Sequence, residues 1–206
     1  MPNDKRAISV TELINTKFKV MEFKGAWKRA LGQPELSGTW IVYGNPKNGK
    51  TRFVLQLCKY LTQFTRVGYD SLEEGVSVSF TQAIKEVNML DVKCGFVIYD
   101  KEPVAMLRER LKKQKAPGVV VIDSLQYTGL TYSDYKKLKD EFRNKLFIFI
   151  SHAEGREPAG RVAKSVKYDA NIIIRVEGFR AFATGRYGGG DPYTIWEEGA
   201  LKYWQE

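Results

Sequence analysis

Apolar and polar positions come in blocks along this chain, and each block has its own period. Thr39-Trp40-Ile41-Val42-Tyr43 is a short β-branched and aromatic run, which predicts a strand. Apolar residues then recur at Val54, Leu57, Cys58 and Leu61, the spacing of one helix face, so residues 51–61 are expected to be helical. Residues 65–70 read as a second strand running into Ser71-Leu72-Glu73-Glu74-Gly75, followed by a helix over 76–90 and a strand over 95–100. Val104, Leu107 and Leu111 form the apolar stripe of the next helix, which leaves Arg108, Arg110, Lys112 and Lys113 for a solvated face. Gly118-Val119-Val120-Val121-Ile122-Asp123 is apolar almost throughout, as suits a strand covered on both faces at the centre of a parallel sheet. After a helix near 132–143, residues 146–150 repeat that character and end in Ser151-His152. Then the style changes. Residues 172–176 and 179–184 flank Glu177-Gly178 like a hairpin, and 193–196 follow the turn Gly188-Gly189-Gly190-Asp191-Pro192. Strands alternating with helices and closed by antiparallel strands predict an α/β mixed sheet.

The chain has 206 residues, enough for one well-buried α/β domain, placed at 34–206 with an N-terminal extension over 1–33. Residues 1–10 are polar and expected to be mobile. Leu13, Phe18, Met21, Trp27 and Leu31 predict a short helical or extended arm lying on the domain or on a neighbour, broken by Gln33-Pro34-Glu35-Leu36-Ser37-Gly38. Lysine and arginine number 33 against 24 acidic residues, a charge of +9, which suits a polyanionic partner. The start carries no apolar signal segment and no window approaches a membrane span, so a cytoplasmic protein without a membrane partner is expected. Cys58 and Cys94 have no metal or redox spacing and are expected to be buried thiols.

The chemistry centres on Gly44-Asn45-Pro46-Lys47-Asn48-Gly49-Lys50-Thr51, which fits G-x-x-x-x-G-K-[ST] between a predicted strand and a predicted helix. Glycines let backbone N–H groups cradle phosphates, the lysine reaches the outer ones, and the threonine hydroxyl completes Mg²⁺ coordination. The helix N-terminus adds its partial positive charge, and Arg52 follows in its first turn. Asp123 ends the most apolar run, where a second acidic group would orient Mg²⁺. Glu73 and Glu74 end a neighbouring strand, and either could polarise the attacking water. His152, the only histidine, falls at another strand end, where a side chain can sense the outermost phosphate.

The order and spacing of 44–51, Ser71-Leu72-Glu73-Glu74, Val121-Ile122-Asp123-Ser124-Leu125-Gln126, Ser151-His152 and Thr184-Gly185-Arg186-Tyr187-Gly188 resemble the RecA-like ATPases, in the branch of RadA and the DnaB-type helicases. The resemblance spans residues 38–196 and implies a three-layer core with a mostly parallel central sheet and antiparallel C-terminal strands. It further implies ATP and Mg²⁺ as ligands, Lys50 and Thr51 on phosphate and metal, Glu73 as catalytic base, Asp123 as the metal-associated acid, and His152 as the reporter of nucleotide state. A DNA-binding loop would span 154–167, with Arg156, Arg161, Lys164 and Lys167. Arg186 would be a finger that reaches the nucleotide of the adjacent subunit in a ring or filament. One departure stands out: Thr184 occupies a position where relatives carry a lysine, so either one interface cation is lost or Lys164 or Arg180 replaces it.

The resulting expectation is an ATP-hydrolysing motor core that assembles on single-stranded DNA in recombination, replication or repair. Tyr168, Tyr127 and Tyr132 are candidates to stack on bases. The alternatives are an ATP-gated binding or loader protein with weak turnover, which Thr184 favours and Glu73 opposes, and a small-molecule kinase. A kinase would need an arginine-rich lid and an acceptor pocket, where this sequence has Asp123-Ser124 and a hairpin.

Overall fold

A computed structural model describes residues 7–205, so the polar start up to residue 6 lies outside the described residues. The N-terminal segment has two parts. Helix α1 (Val10–Ile14) is closed by a reciprocal Ser9–Glu12 capping box and buries none of its residues. From residue 21 the chain joins the core: Met21 and Phe23 are buried, as are Ala30 and Leu31 of α2 (Gly25–Leu31). Phe23 packs edge-on against Trp40 and Tyr60, and Trp27 stacks on Tyr193 with ring centres 4.1 Å apart.

The predicted strands become β1 (Gly38–Gly44), β2 (Val67–Ser71), β3 (Phe96–Asp100), β4 (Val119–Asp123) and β5 (Leu146–Glu154). Between them run α3 (Lys50–Leu61), α4 (Val78–Glu86), α5 (Val104–Leu111) and α6 (Tyr132–Glu141). Helix α4 is shorter than its apolar pattern suggested, because Asn88 turns left-handed (φ 55°) and a 3-10 segment, Met89–Gly95, takes over. Cys94 lies in that segment and is exposed, contrary to expectation, whereas Cys58 is buried. After β5 come a short strand β6 (Glu157–Pro158), helix α7 (Arg161–Asp169), the hairpin β7 (Ile172–Glu177) and β8 (Arg180–Gly185), then β9 (Tyr193–Thr194) and α8 (Glu197–Trp204).

The sheet order is β3-β2-β4-β5-β1-β7-β8-β9, with β6 paired to β5. Strands from β3 to β7 are mutually parallel, while β8 and β9 are antiparallel. Strand alternation splits the core into two layers. Trp40 and Val42 pack with Phe53, Val54 and Leu57 of α3, whereas Ile41 faces Leu107, Tyr135, Leu138, Ala163 and Val166 from α5, α6 and α7. The result is helices on both faces of one mixed sheet. Register then gathers the predicted chemistry at one edge: Gly44 stands beside His152, and Ser71 beside Asp123. No helix among the described residues is long and apolar enough to cross a membrane.

Candidate active site

The loop between β1 and α3 is shaped by its neighbours as much as by any ligand. A Cβ on Gly44 would stand 2.1 Å from the Val176 carbonyl oxygen, so this glycine lets β7 approach β1. Gly49 takes φ 95° at the start of α3, and Lys47 takes φ 63° at the loop tip. Asn48 accepts a 2.7 Å hydrogen bond from Gly178 N–H and donates to the Pro46 carbonyl, tying the loop to the β7–β8 turn. Lys50 Nζ donates to the carbonyls of Gly44 (2.8 Å) and Asn45 (3.0 Å). Burial lowers its pKa, against the pull of Asp123 and Glu73.

Opposite the loop, Asp123 accepts a hydrogen bond from the buried Tyr69 hydroxyl. Burial pushes the Asp123 carboxyl up to about 6; Tyr69 and Lys50 draw it down, and Glu73 and Glu74 push it further up. The Asp123 carbonyl also receives the backbone N–H groups of Leu72 (2.6 Å) and Glu73 (3.0 Å), so the end of β4 sets the position of the loop that carries Glu73. Glu73 Oε2 lies 3.0 Å from His152 Nε2. Glu74 is engaged elsewhere, accepting from Ser77 (3.2 Å) and Ser79 (2.9 Å) at the start of α4. The choice that sequence left open is thereby decided in geometry: Glu73 faces the histidine, and Glu74 braces a helix.

Lys47, Lys50, Thr51, Glu73, Asp123 and His152 together line a cavity of about 230 Å³. Ser124 Oγ, also on its wall, is buried without a hydrogen-bond partner, the kind of orphaned polar atom that a polar ligand satisfies. A lysine under a glycine-rich loop, a helix N-terminus, a threonine hydroxyl and a carboxyl raised by burial are a donor set that fits a triphosphate with Mg²⁺.

No protein-family model and no curated protein matches the sequence. Solved structures do. The flagellar accessory protein FlaH from Methanocaldococcus jannaschii is similar over 85% of this chain and 92% of its own, with TM-score 0.59 and 15% identity. The ATPase domain of a helicase aligns over 80% of this chain and 83% of its own (TM-score 0.57, 18% identity). The KaiC-like protein PH0186 from the archaeon Pyrococcus horikoshii OT3 aligns over 86% and 92% (TM-score 0.55, 16% identity). The fold is RecA-like.

Within this RecA-like fold the remaining predicted residues are dispersed. Arg52 turns away from the cavity, its guanidinium 5.7 Å from the Trp196 ring centre and 3.8 Å from Glu86. Residues 154–167 are not a loop: they form β6 and most of α7, because Ala163 and Val166 bury one face beneath the sheet. Lys164 pairs with Glu154 at 3.3 Å and Lys167 with Glu157 at 2.7 Å, while Arg156 and Arg161 are exposed. Arg186 is not with the others. It follows Gly185, which pairs with Ile172 at the beginning of β7, and its N–H donates to Asn171, at the sheet edge opposite the cavity.

Sequence reasoning passed over Gln126. Its Nε2 donates to Ser151 Oγ (2.8 Å) and to the Ala159 carbonyl (2.9 Å), and its Oε1 accepts from His152 N–H (3.4 Å). One side chain thus joins the ends of β4 and β5 to the entrance of α7. Its place two residues after Ser124 in the quoted run was the only hint.

Proposed function

We propose that this chain hydrolyses ATP, that single-stranded DNA stimulates the hydrolysis, and that the active form is a head-to-tail ring or filament. The carrying observation is the 3.0 Å contact between Glu73 and His152 beside Lys50, Thr51 and Asp123 in one cavity. Glu73 accepts the proton of the attacking water as general base. Lys50 and the amides at the start of α3 hold the phosphates, and Thr51 and Asp123 hold Mg²⁺, which neutralises phosphate charge. Breaking the Glu73–His152 contact frees the base, and the same movement reaches α7 through Gln126. On α7 and its approach, Arg156 and Arg161 are open to phosphate, Lys164 and Lys167 exchange carboxylate partners for it, and Tyr168, 89% exposed, offers a stacking face.

ATP turnover with and without single-stranded DNA, in wild type and Glu73→Gln, tests the reading. Wild type should be stimulated by DNA, and Glu73→Gln should bind nucleotide while losing turnover by about 10²–10⁴-fold. Turnover indifferent to DNA removes the DNA role, and turnover that survives Glu73→Gln removes the assigned base.

A further inference from the structure

A groove of about 690 Å³ runs along β3, bounded by α5 and the turn at residues 113–117. Its floor is apolar, with Ile98 40% and Met106 58% exposed. Its rim is cationic: Arg66, Lys101, Lys113 and Lys115 line it, and none of the four forms an ion pair among the described residues. A fifth cation, Arg110, is already occupied by Glu102, with Nε 2.9 Å from both carboxylate oxygens.

β3 is also the end of the sheet, and no strand among the described residues pairs with its outer edge. Lys101 N–H donates to the Ser71 carbonyl across the β2–β3 ladder (3.3 Å). With a period of two, the backbone groups of Phe96, Ile98 and Asp100 therefore face away from β2. Lysines near an open edge ordinarily discourage pairing. Here they surround an apolar trough, which selects the charge of a pairing strand rather than forbidding one.

We propose that this groove binds an extended acidic peptide segment of a partner protein. The segment adds to β3 as a further strand, rests alternate apolar side chains on Ile98 and Met106, and sets its carboxylates against Arg66, Lys101, Lys113 and Lys115. Charge argues against the chain's own exposed apolar segment, residues 8–20, which carries Lys17 and Lys19 against Glu12. Aromaticity argues against a nucleic-acid strand. The ring lining the groove, Tyr99, is only 8% exposed and has the Arg110 guanidinium 4.9 Å from its centre, leaving no open face for a base.

Fluorescence anisotropy with the full chain tests the proposal, using a labelled nine-residue peptide that alternates aspartate or glutamate with valine or isoleucine. Wild type should bind it at about 0.15 M salt and release it as salt rises. The exposed-turn variant Lys113→Glu/Lys115→Glu should bind at least about tenfold more weakly with ATP turnover unchanged. Two further peptides, N-methylated at alternate residues in either register, separate strand addition from charge attraction: one should bind and the other should not. The proposal is overturned if wild type ignores the peptide, if both methylated peptides bind alike, or if the double variant binds as tightly as wild type. It is equally overturned if charge reversal abolishes oligothymidylate binding or self-association in sedimentation while leaving the peptide bound.

Discussion

Asp123 sits where a bound cation would be welcome and the free protein is under electrostatic stress, since burial lifts its carboxyl to about 6 with Glu73 and Glu74 adding to the rise. A raised carboxyl contributes stability as the neutral acid. That contribution is complete below the ordinary pKa near 3.8 and is lost as pH climbs through about 6. Asp123→Asn keeps an acceptor for the Tyr69 hydroxyl without the charge, so at pH 7.5 the nucleotide-free variant should be the more stable by about 2–3 kcal/mol. The difference should vanish near pH 4. Thermal melts at the two pH values check it, and a variant no more stable at pH 7.5 would show that Asp123 carries no such stress. Most of the site was legible residue by residue, because Lys50, Thr51 and Asp123 sit in local patterns tied to strand ends. The pairing of Glu73 rather than Glu74 with His152 was not, nor was the reach of Gln126 to residues 151, 152 and 159. These are contacts between side chains remote in sequence, and no period encodes them.

Among the elements, the strands were the easiest to read, since burial on both faces forces unbroken apolar runs such as 119–122. Helices α7 and α8 escaped. Each buries a narrow face, Ala163 and Val166 in one and Gly199 and Ala200 in the other, within a mostly polar sequence. The segment around α2 also proved more than an arm, because it seats the loop after β8. Gln33 N–H donates to the Tyr187 carbonyl (3.2 Å), and the Ala30 and Arg29 carbonyls accept from Gly190 (3.0 Å) and Asp191 (3.2 Å). Gly32 makes this closeness possible: its φ is 71°, and a Cβ there would stand 1.9 Å from the Tyr187 carbonyl oxygen. Gly32→Val should therefore lose about 2 kcal/mol or more of stability in denaturant melts. Hydrogen exchange should rise at residues 186–191 before it rises in β1. Unchanged exchange in that loop would mean that α2 does not seat it.

At the scale of the whole molecule, the sheet keeps Arg186 and the phosphate loop apart. Gly185 pairs with Ile172, Ile172 with Trp40, and β1 then runs four residues to Gly44, a separation of roughly 13 Å along the strand at ~3.3 Å per residue. A fixed arginine at one edge cannot serve a site at the other edge of the same chain. If it serves any such site, that site belongs to a neighbour, and an interface joining opposite edges is head-to-tail, which propagates into a ring or a filament. Two inactive variants should then repair each other. Lys50→Ala removes the phosphate ligand and leaves the finger, while Arg186→Ala removes the finger and leaves the site. Each alone should bind DNA and turn over little ATP. Mixed in equal amounts and allowed to exchange subunits, they should recover turnover at about one site in four, where an intact site meets an intact finger by random assortment. Full turnover by Arg186→Ala alone would remove the finger. A mixture as inactive as its components would show instead that Arg186 acts within its own subunit, through the fold that holds the loop.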